Sequence, residues 1–272
     1  MRGTLLLMVM PWLLFGSVAK AQDTEGLPTL DILRRSDLVV NAPQDQEFTL
    51  SMILIDKKGK EKTREAKIWQ KGADMRMVKF TSPADQEGIG FLDLPDDLMY
   101  VYLPAFKKVR RIASHVKNES FAGTDFTYDD MATINYSEEY DPELLGADTT
   151  KCLVLEDKEG KAEWVSKELK HYRLELTPKA GMKKDYSKLI IWIRSDNFYQ
   201  TRIEYYDQRG NLWKIQEKRK IKEVDGYWTA MEVEMSDLAK NHKTRNMIAE
   251  IAFDQGLTDK FFTQRQLKRR PK

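Results

Sequence analysis

Few residues in this chain of 272 residues could do acid–base, nucleophilic or metal chemistry. His115, His171 and His242 are the only histidines, and no two sit at the i, i+4 or short-loop spacing that a zinc site needs. Each reads as a structural or surface histidine. Cys152 is the single cysteine, so it has no partner for a disulfide within the chain. Its setting, Lys151-Cys152-Leu153-Val154-Leu155, reads as a buried strand thiol, because reactive thiolates need exposed, electropositive surroundings. Asp129 and Asp130 could in principle exchange protons, but adjacent acids are common at turns and strand ends. There is no G-x-S-x-G elbow and no G-x-x-x-x-G-K phosphate cradle. The expectation is a binding protein rather than an enzyme, with no metal and no cofactor; the missing nucleophile motif disfavours a lipid-modifying hydrolase.

Apolar surface is left as the means of binding, and strands must position it. Phe48, Leu50, Met52 and Leu54 alternate with Thr49, Ser51, Ile53 and Ile55, and Lys57 to Lys60 turns the chain into a polar strand ending near Trp69. Met75, Met77 and Phe80 belong to the next strand. Two apolar runs, 89–94 and 98–103, flank Pro95-Asp96-Asp97, which reads as a hairpin, and Pro104 ends the second run by removing a ladder donor. Another extended segment covers 107–112. Further on, Tyr199, Thr201, Ile203 and Tyr205 alternate with Gln200, Arg202 and Glu204. Turns at 208–211 and 225–226 then bracket a strand, and Met231, Val233 and Met235 alternate with Glu232 and Glu234. Sequential hairpins of this kind make an antiparallel meander, not a βαβ fold. Between them, 141–145 reads as one helical turn, 153–156, 173–176 and 189–193 as short strands, and Ile248, Ile251 and Phe253 as a final strand. Near the start, Thr29 is expected to cap a helix through about Val40, which either closes the open face of the sheet or lies on the surface.

Arg2, the apolar run 5–15 and the A-x-A of Ala19 and Ala21 have the form of a secretory signal peptide, residues 1–21, cleaved before Gln22. The apolar run is shorter than the roughly 20 residues of a spanning helix. Export without disulfides fits a bacterial periplasm. Loss of Arg2 and Lys20 balances the 45 basic against the 43 acidic side chains, so a nucleic-acid partner is not expected. Residues 22–272 contain no Pro/Gly/Ser-rich linker and are expected to form one domain, as a monomer.

The segment 121–128, Phe-Ala-Gly-Thr-Asp-Phe-Thr-Tyr, is too aromatic for a surface loop and is expected to fold back on the sheet, since each unburied ring forfeits roughly 1.5–3 kcal/mol. Ser82-Pro83 followed by Gly88, Pro104 followed by Arg110-Arg111, and Gly123-x-Asp125-Phe126-x-Tyr128 together resemble the longer branch of the LolA-like family of outer-membrane lipoprotein-sorting proteins. A weaker echo is Phe261-Phe262-Thr263-x-x-x-Leu267. The resemblance implies a strongly curved antiparallel sheet, an incomplete β-barrel closed by short helices and loops around an apolar cavity for acyl chains. Candidate cavity-lining residues are Phe48, Leu50, Met52, Trp69, Met75, Met77, Phe91, Met99, Val101, Ile203, Tyr205, Met231 and Val233. Composition leaves open whether the twelve methionines line a pliable cavity or fill a core, and the resemblance favours the lining.

The function so implied is a periplasmic carrier that binds acyl chains of lipoproteins or lipids, moves them toward the outer membrane and touches membrane surfaces transiently. Its partners would be an inner-membrane transporter and an outer-membrane acceptor. The alternative is a periplasmic partner of an inner-membrane resistance-nodulation-division-type transporter. The basic strand 107–111 is either a patch for headgroups or an acidic partner, or an edge strand kept soluble by charge.

Overall fold

A computed structural model describes residues 26–132, 135–158 and 161–270. The expected leader, residues 1–21, lies outside the described residues. Among these, no helix is long and apolar enough to cross a membrane.

Helix α1 (Thr29–Val40) starts behind Pro28, whose carbonyl accepts from the amides of Asp31 and Ile32. Thr29 is therefore inside the helix and makes no side-chain cap, contrary to the expectation from its residue type. The helix buries Ile32, Leu33, Ser36 and Asp37. The Asp37 carboxylate accepts from the amides of Tyr136 and Ser137 at 3.2 and 2.7 Å, capping the single helical turn α2 (Tyr136–Glu139) and tying the two helices together.

The first meander is β1 (Asp45–Ile55), β2 (Glu61–Lys71), β3 (Met75–Ser82), β4 (Gly90–Leu94), β5 (Leu98–Leu103) and β6 (Lys108–Arg111). Asp96 and Asp97 turn the β4–β5 hairpin with φ of 61° and 59°, the left-handed backbone that aspartate tolerates. The second comprises β7 (Tyr140–Lys158), β8 (Lys161–Pro178), β9 (Lys188–Arg194), β10 (Gln200–Tyr206), β11 (Leu212–Val224), β12 (Tyr227–Asp237) and β13 (His242–Phe253). All belong to one sheet in the order β10-β9-β8-β7-β11-β12-β13-β1-β2-β3-β4-β5-β6, in which β10 also pairs with β11. The pairings are antiparallel except one parallel contact, Ile221 with Val154. The result is a large curved antiparallel sheet that does not close as a regular barrel, as expected.

Residues 141–145 lie in β7, not in a helical turn; the turn is the preceding α2. β7 and β8 pair from Tyr140–Pro178 to Lys158–Lys161, far beyond the short apolar runs legible in the sequence. Much of this arm alternates between exposed and half-buried side chains, so it carries little apolar signal.

The main core fills the concave side: Leu50, Met52 and Leu54 of β1, Ala66 and Ile68 of β2, Val78 and Phe80 of β3, and Leu174, Ile191 and Ile203 from β8, β9 and β10. A second cluster lies across the sheet, where Trp69, Met77 and Leu92 are covered by Phe262 and Leu267. Leu267 belongs to α3 (Gln264–Leu267), whose first amides are capped by Thr263. Gly90 makes room for it, because a Cβ there would lie 2.7 Å from Leu267 Cδ1.

Candidate functional site

The aromatic loop does fold onto the sheet. Ala122 and Gly123 adopt positive φ (49° and 75°), and the Ala122 carbonyl accepts from the Arg64 guanidinium. This drives Phe121 inward to meet Phe80, Phe91 and Tyr128 at ring-centroid distances of 5.6, 5.8 and 5.7 Å. Two acids hold the loop down. The Asp125 carboxylate accepts from Thr244 Oγ1 at 2.6 Å and lies 2.7 Å from His242 Nδ1, while its backbone amide donates to Thr244 Oγ1 at 3.0 Å. Asp130 accepts from Tyr186 Oη at 2.9 Å, from Lys214 Nζ at 3.1 Å and from the Thr127 amide at 2.8 Å. Unpaired, such buried charges would be costly; here each carboxylate is met from several sides.

Between this loop, the end of α1 and the inner face of β1, β2 and β11–β13 lies a cavity of about 230 Å³. Its wall includes Val40, Phe48, Leu50, Ile68, Phe126, Met131, Tyr199, Tyr205, Trp228, Val233, Ile248 and Ile251. Of the thirteen candidate lining residues, Phe48, Leu50, Tyr205 and Val233 are in this wall. Met52, Phe91, Met99, Val101 and Ile203 belong to the solid part of the core, and Met231 is partly buried outside the wall. Trp69, Met75 and Met77 are on the opposite face of the sheet, beneath the C-terminal segment. Strand parity explains the error. Met77 and Phe80 differ by an odd number of residues and must face opposite ways, and both faces are apolar because both are covered. The methionine lining that the resemblance favoured is not formed by Met52, Met75, Met77, Met99, Met231 or Met235; Met131 of the loop lines the cavity instead.

The other motif residues separate from the cavity. Ser82 ends β3, and the Ser82–Pro83 peptide is cis. Gly88 (φ 82°) donates from its amide to Phe80, and a Cβ at Gly88 would lie 3.2 Å from Pro104 Cγ, so this proline and glycine form one close-packed corner. Arg110 and Arg111 are exposed on β6 at the end of the sheet, with Arg110 over the Phe106 ring at 6.0 Å. The basic strand is thus a charged edge and does not reach the cavity.

Two cations missed in the sequence stand in the cavity wall, Arg76 and Lys218. Arg76 donates to the carbonyls of Met131 and Ala132 at 3.1 and 3.0 Å and to Gln70 Oε1, and faces Asp93 across the β3–β4 ladder. Burial lowers its pKa, partly offset by Asp93. Lys218 holds its ammonium 5.7 Å from the Tyr199 ring centroid, and among the described residues no carboxylate pairs with it. Burial, then repulsion from Arg76, push its pKa down to about 7. The signal was hidden because β11 is an unbroken polar run over 216–220; only its register, Lys218 opposite Val233 and Gln216 opposite Ile203, assigns Gln216 and Lys218 to the inner face.

Cys152 Sγ lies 3.8 Å from His171 Nε2, but burial raises the thiol pKa and lowers that of the imidazole. Both stay neutral, the reverse of a thiolate–imidazolium pair. His171 Nδ1 is held by the Leu169 carbonyl at 2.9 Å, His242 is tied to Asp125, and His115 is exposed. Asp129 and Asp130 diverge: the first lies 3.9 Å from Lys184, the second pairs with Lys214. Among the described residues no group of three His, Cys, Asp or Glu could hold a metal ion.

A family model described as an uncharacterized protein matches residues 72–269. No curated protein matches the chain. Among solved structures, a DUF1329 family protein from Desulfovibrio piger is 29% identical, with a TM-score of 0.76 over 88% of this chain and 97% of that one. A protein domain from Vibrio parahaemolyticus described as outer-membrane lipoprotein-sorting is 26% identical, with a TM-score of 0.74 over 89% and 98%. A LolA superfamily protein from Nitrosomonas europaea shares the fold at 20% identity, with a TM-score of 0.69 over 88% and 99%. With the family match spanning most of its length and these neighbours sharing its architecture, the chain belongs to the LolA-like family.

Proposed function

We propose that residues 22–272 act as one non-catalytic periplasmic carrier, exported by the leader, which holds the acyl chain of a lipid or lipidated protein in the cavity and delivers it toward the outer membrane. The observation that carries this reading is the space left between the anchored loop, α1 and the sheet, with Phe48, Leu50, Val233, Ile248 and Ile251 along its wall. Each methylene buried there contributes roughly 0.8 kcal/mol, so a chain can be held by shape-tolerant contact. At about 230 Å³ the cavity lies below the ~300–1,000 Å³ of typical ligand pockets, so a long chain requires the wall to open. That suits a carrier, since a pocket that never opens would not release its cargo.

The test is native mass spectrometry of the mature protein purified without detergent, followed by organic extraction. Lipid or acylated protein near unit occupancy is expected, and Val233→Phe, which fills the cavity, should reduce the load several-fold. A mass free of bound lipid, with no uptake of offered lipids, overturns the carrier reading.

A further inference from the structure

The cavity wall is not uniformly apolar, and its polar groups share a character. Lys218, half-buried, has an aromatic ring and the cavity beside its ammonium, where a partly desolvated cation ordinarily has a carboxylate. Arg76, in the same wall, adds a second positive charge, which donates to two backbone carbonyls and to Gln70 and faces Asp93 across the β3–β4 ladder. Gln200 Oε1 and Asn246 Oδ1, also in the wall, have no hydrogen-bond partner among the described residues. Asp130, the wall's one carboxylate, is occupied by Lys214 and Tyr186. An apolar side chain at 218 would pack this wall without desolvating an amine, so the lysine is costly unless something completes it.

We propose that Lys218, backed by Arg76, forms an anion subsite within the cavity, taking the carboxylate or phosphate of a single-chain anionic amphiphile whose chain lies along the apolar wall. The inference rests on the reading of the cavity as an acyl-chain site and names its ligand class. The two orphaned amide oxygens are acceptors for hydroxyl groups next to the anion, as in a glycerol headgroup. The acylated end of a lipidated protein carries no such anion, so the subsite favours a free anionic amphiphile over a lipoprotein.

The subsite also makes binding pH-dependent. The titratable and charged groups that share this wall with Lys218 are Arg76 on β3, Tyr199 beside β10, Tyr205 on β10, Tyr136 on α2 and Asp130 in the loop, of which Tyr199 and Arg76 act on it directly. Burial raises the pKa of all three phenols, so they stay neutral over the range that matters. Its neighbours Glu217 and Arg219 are engaged in ion pairs with Arg202, Glu232 and Glu234. A fatty acid is ionised above roughly pH 6, so loss of its affinity at higher pH belongs to the lysine.

The experiment is calorimetric titration of the delipidated mature protein with laurate, dodecyl phosphate, uncharged monolaurin and inorganic phosphate, at pH 6.5 and 9. Both anionic amphiphiles should bind at least about tenfold more tightly than monolaurin at pH 6.5, the size of a charge-assisted contact. That preference should fall at pH 9. Lys218→Met should abolish it while retaining monolaurin binding, and Lys218→Arg should keep it at pH 9, where guanidinium stays charged. Equal binding of charged and uncharged amphiphiles by the unaltered protein overturns the subsite but leaves the carrier intact. Inorganic phosphate binding as tightly as dodecyl phosphate overturns the amphiphile and leaves a free-anion site. Failure of every amphiphile to bind overturns both readings.

Discussion

The two faces of the sheet are each apolar and each covered, yet they are built for different ends. On the convex side the C-terminal segment lies directly on Trp69, Met77 and Leu92, and Lys79 donates to the carbonyls of Gln266 and Arg269, at 2.9 Å in the second case. On the concave side the cover is a loop anchored by Asp125 and Asp130 together with α1, and it leaves a cavity where, among the described residues, Lys218 finds no carbonyl. A buried lysine given acceptors fastens a segment. Lys218, half-buried and without them among the described residues, is where the proposed anion subsite lies.

The contrast can be tested by how each cover responds to damage. Phe121→Ala empties the middle of the concave aromatic cluster and should cost about 3–5 kcal/mol in chemical denaturation. A loss below 1 kcal/mol would mean that the loop is not part of the core. Gly90→Ala forces a methyl against Leu267, which should cost about 1–3 kcal/mol and expose the C-terminal segment to protease while leaving amphiphile binding intact. Equal loss of binding would show that the two faces are coupled.

A third test is electrostatic. Lys218 and Lys79 have folded pKa values near 7 and 8, against an ordinary 10.5. Between those values the unfolded chain holds protons that the folded chain has lost, so stability should rise with pH from about 7 to 10.5 and fall as pH drops through the folded values. Urea midpoints at pH 7 and 9.5 measure the slope, which Lys218→Met should flatten. A slope unchanged in that variant would place the Lys218 ammonium in water.

The meanders and the aromatic loop were legible because they rest on local signals: alternation, a Pro-Asp-Asp turn and rings too costly to expose. The cavity wall was legible only in part. Phe48 and Leu50 stand in it because Thr49 and Ser51 mark the other face of their strand as polar at that level, whereas Met77 lies on the opposite face because its strand is apolar on both. Lys218 lies in a polar run with no period-2 contrast, so only its register opposite Val233 reveals its direction. Arg76 sits between two methionines of the other face, and the pleat turns it to the opposite side.

The pairing that joins the two meanders sets an order of events. β1, residues 45–55, pairs with β13, residues 242–253, almost two hundred positions later. Hairpins on either side can form as soon as their own residues are available, but this seam has to wait for nearly the whole chain. Phe48 and Leu50 on one strand of the seam and Ile248 and Ile251 on the other all line the cavity. The cavity is therefore assembled last, and a chain cut short before residue 242 would retain both meanders' local turns while lacking the cavity.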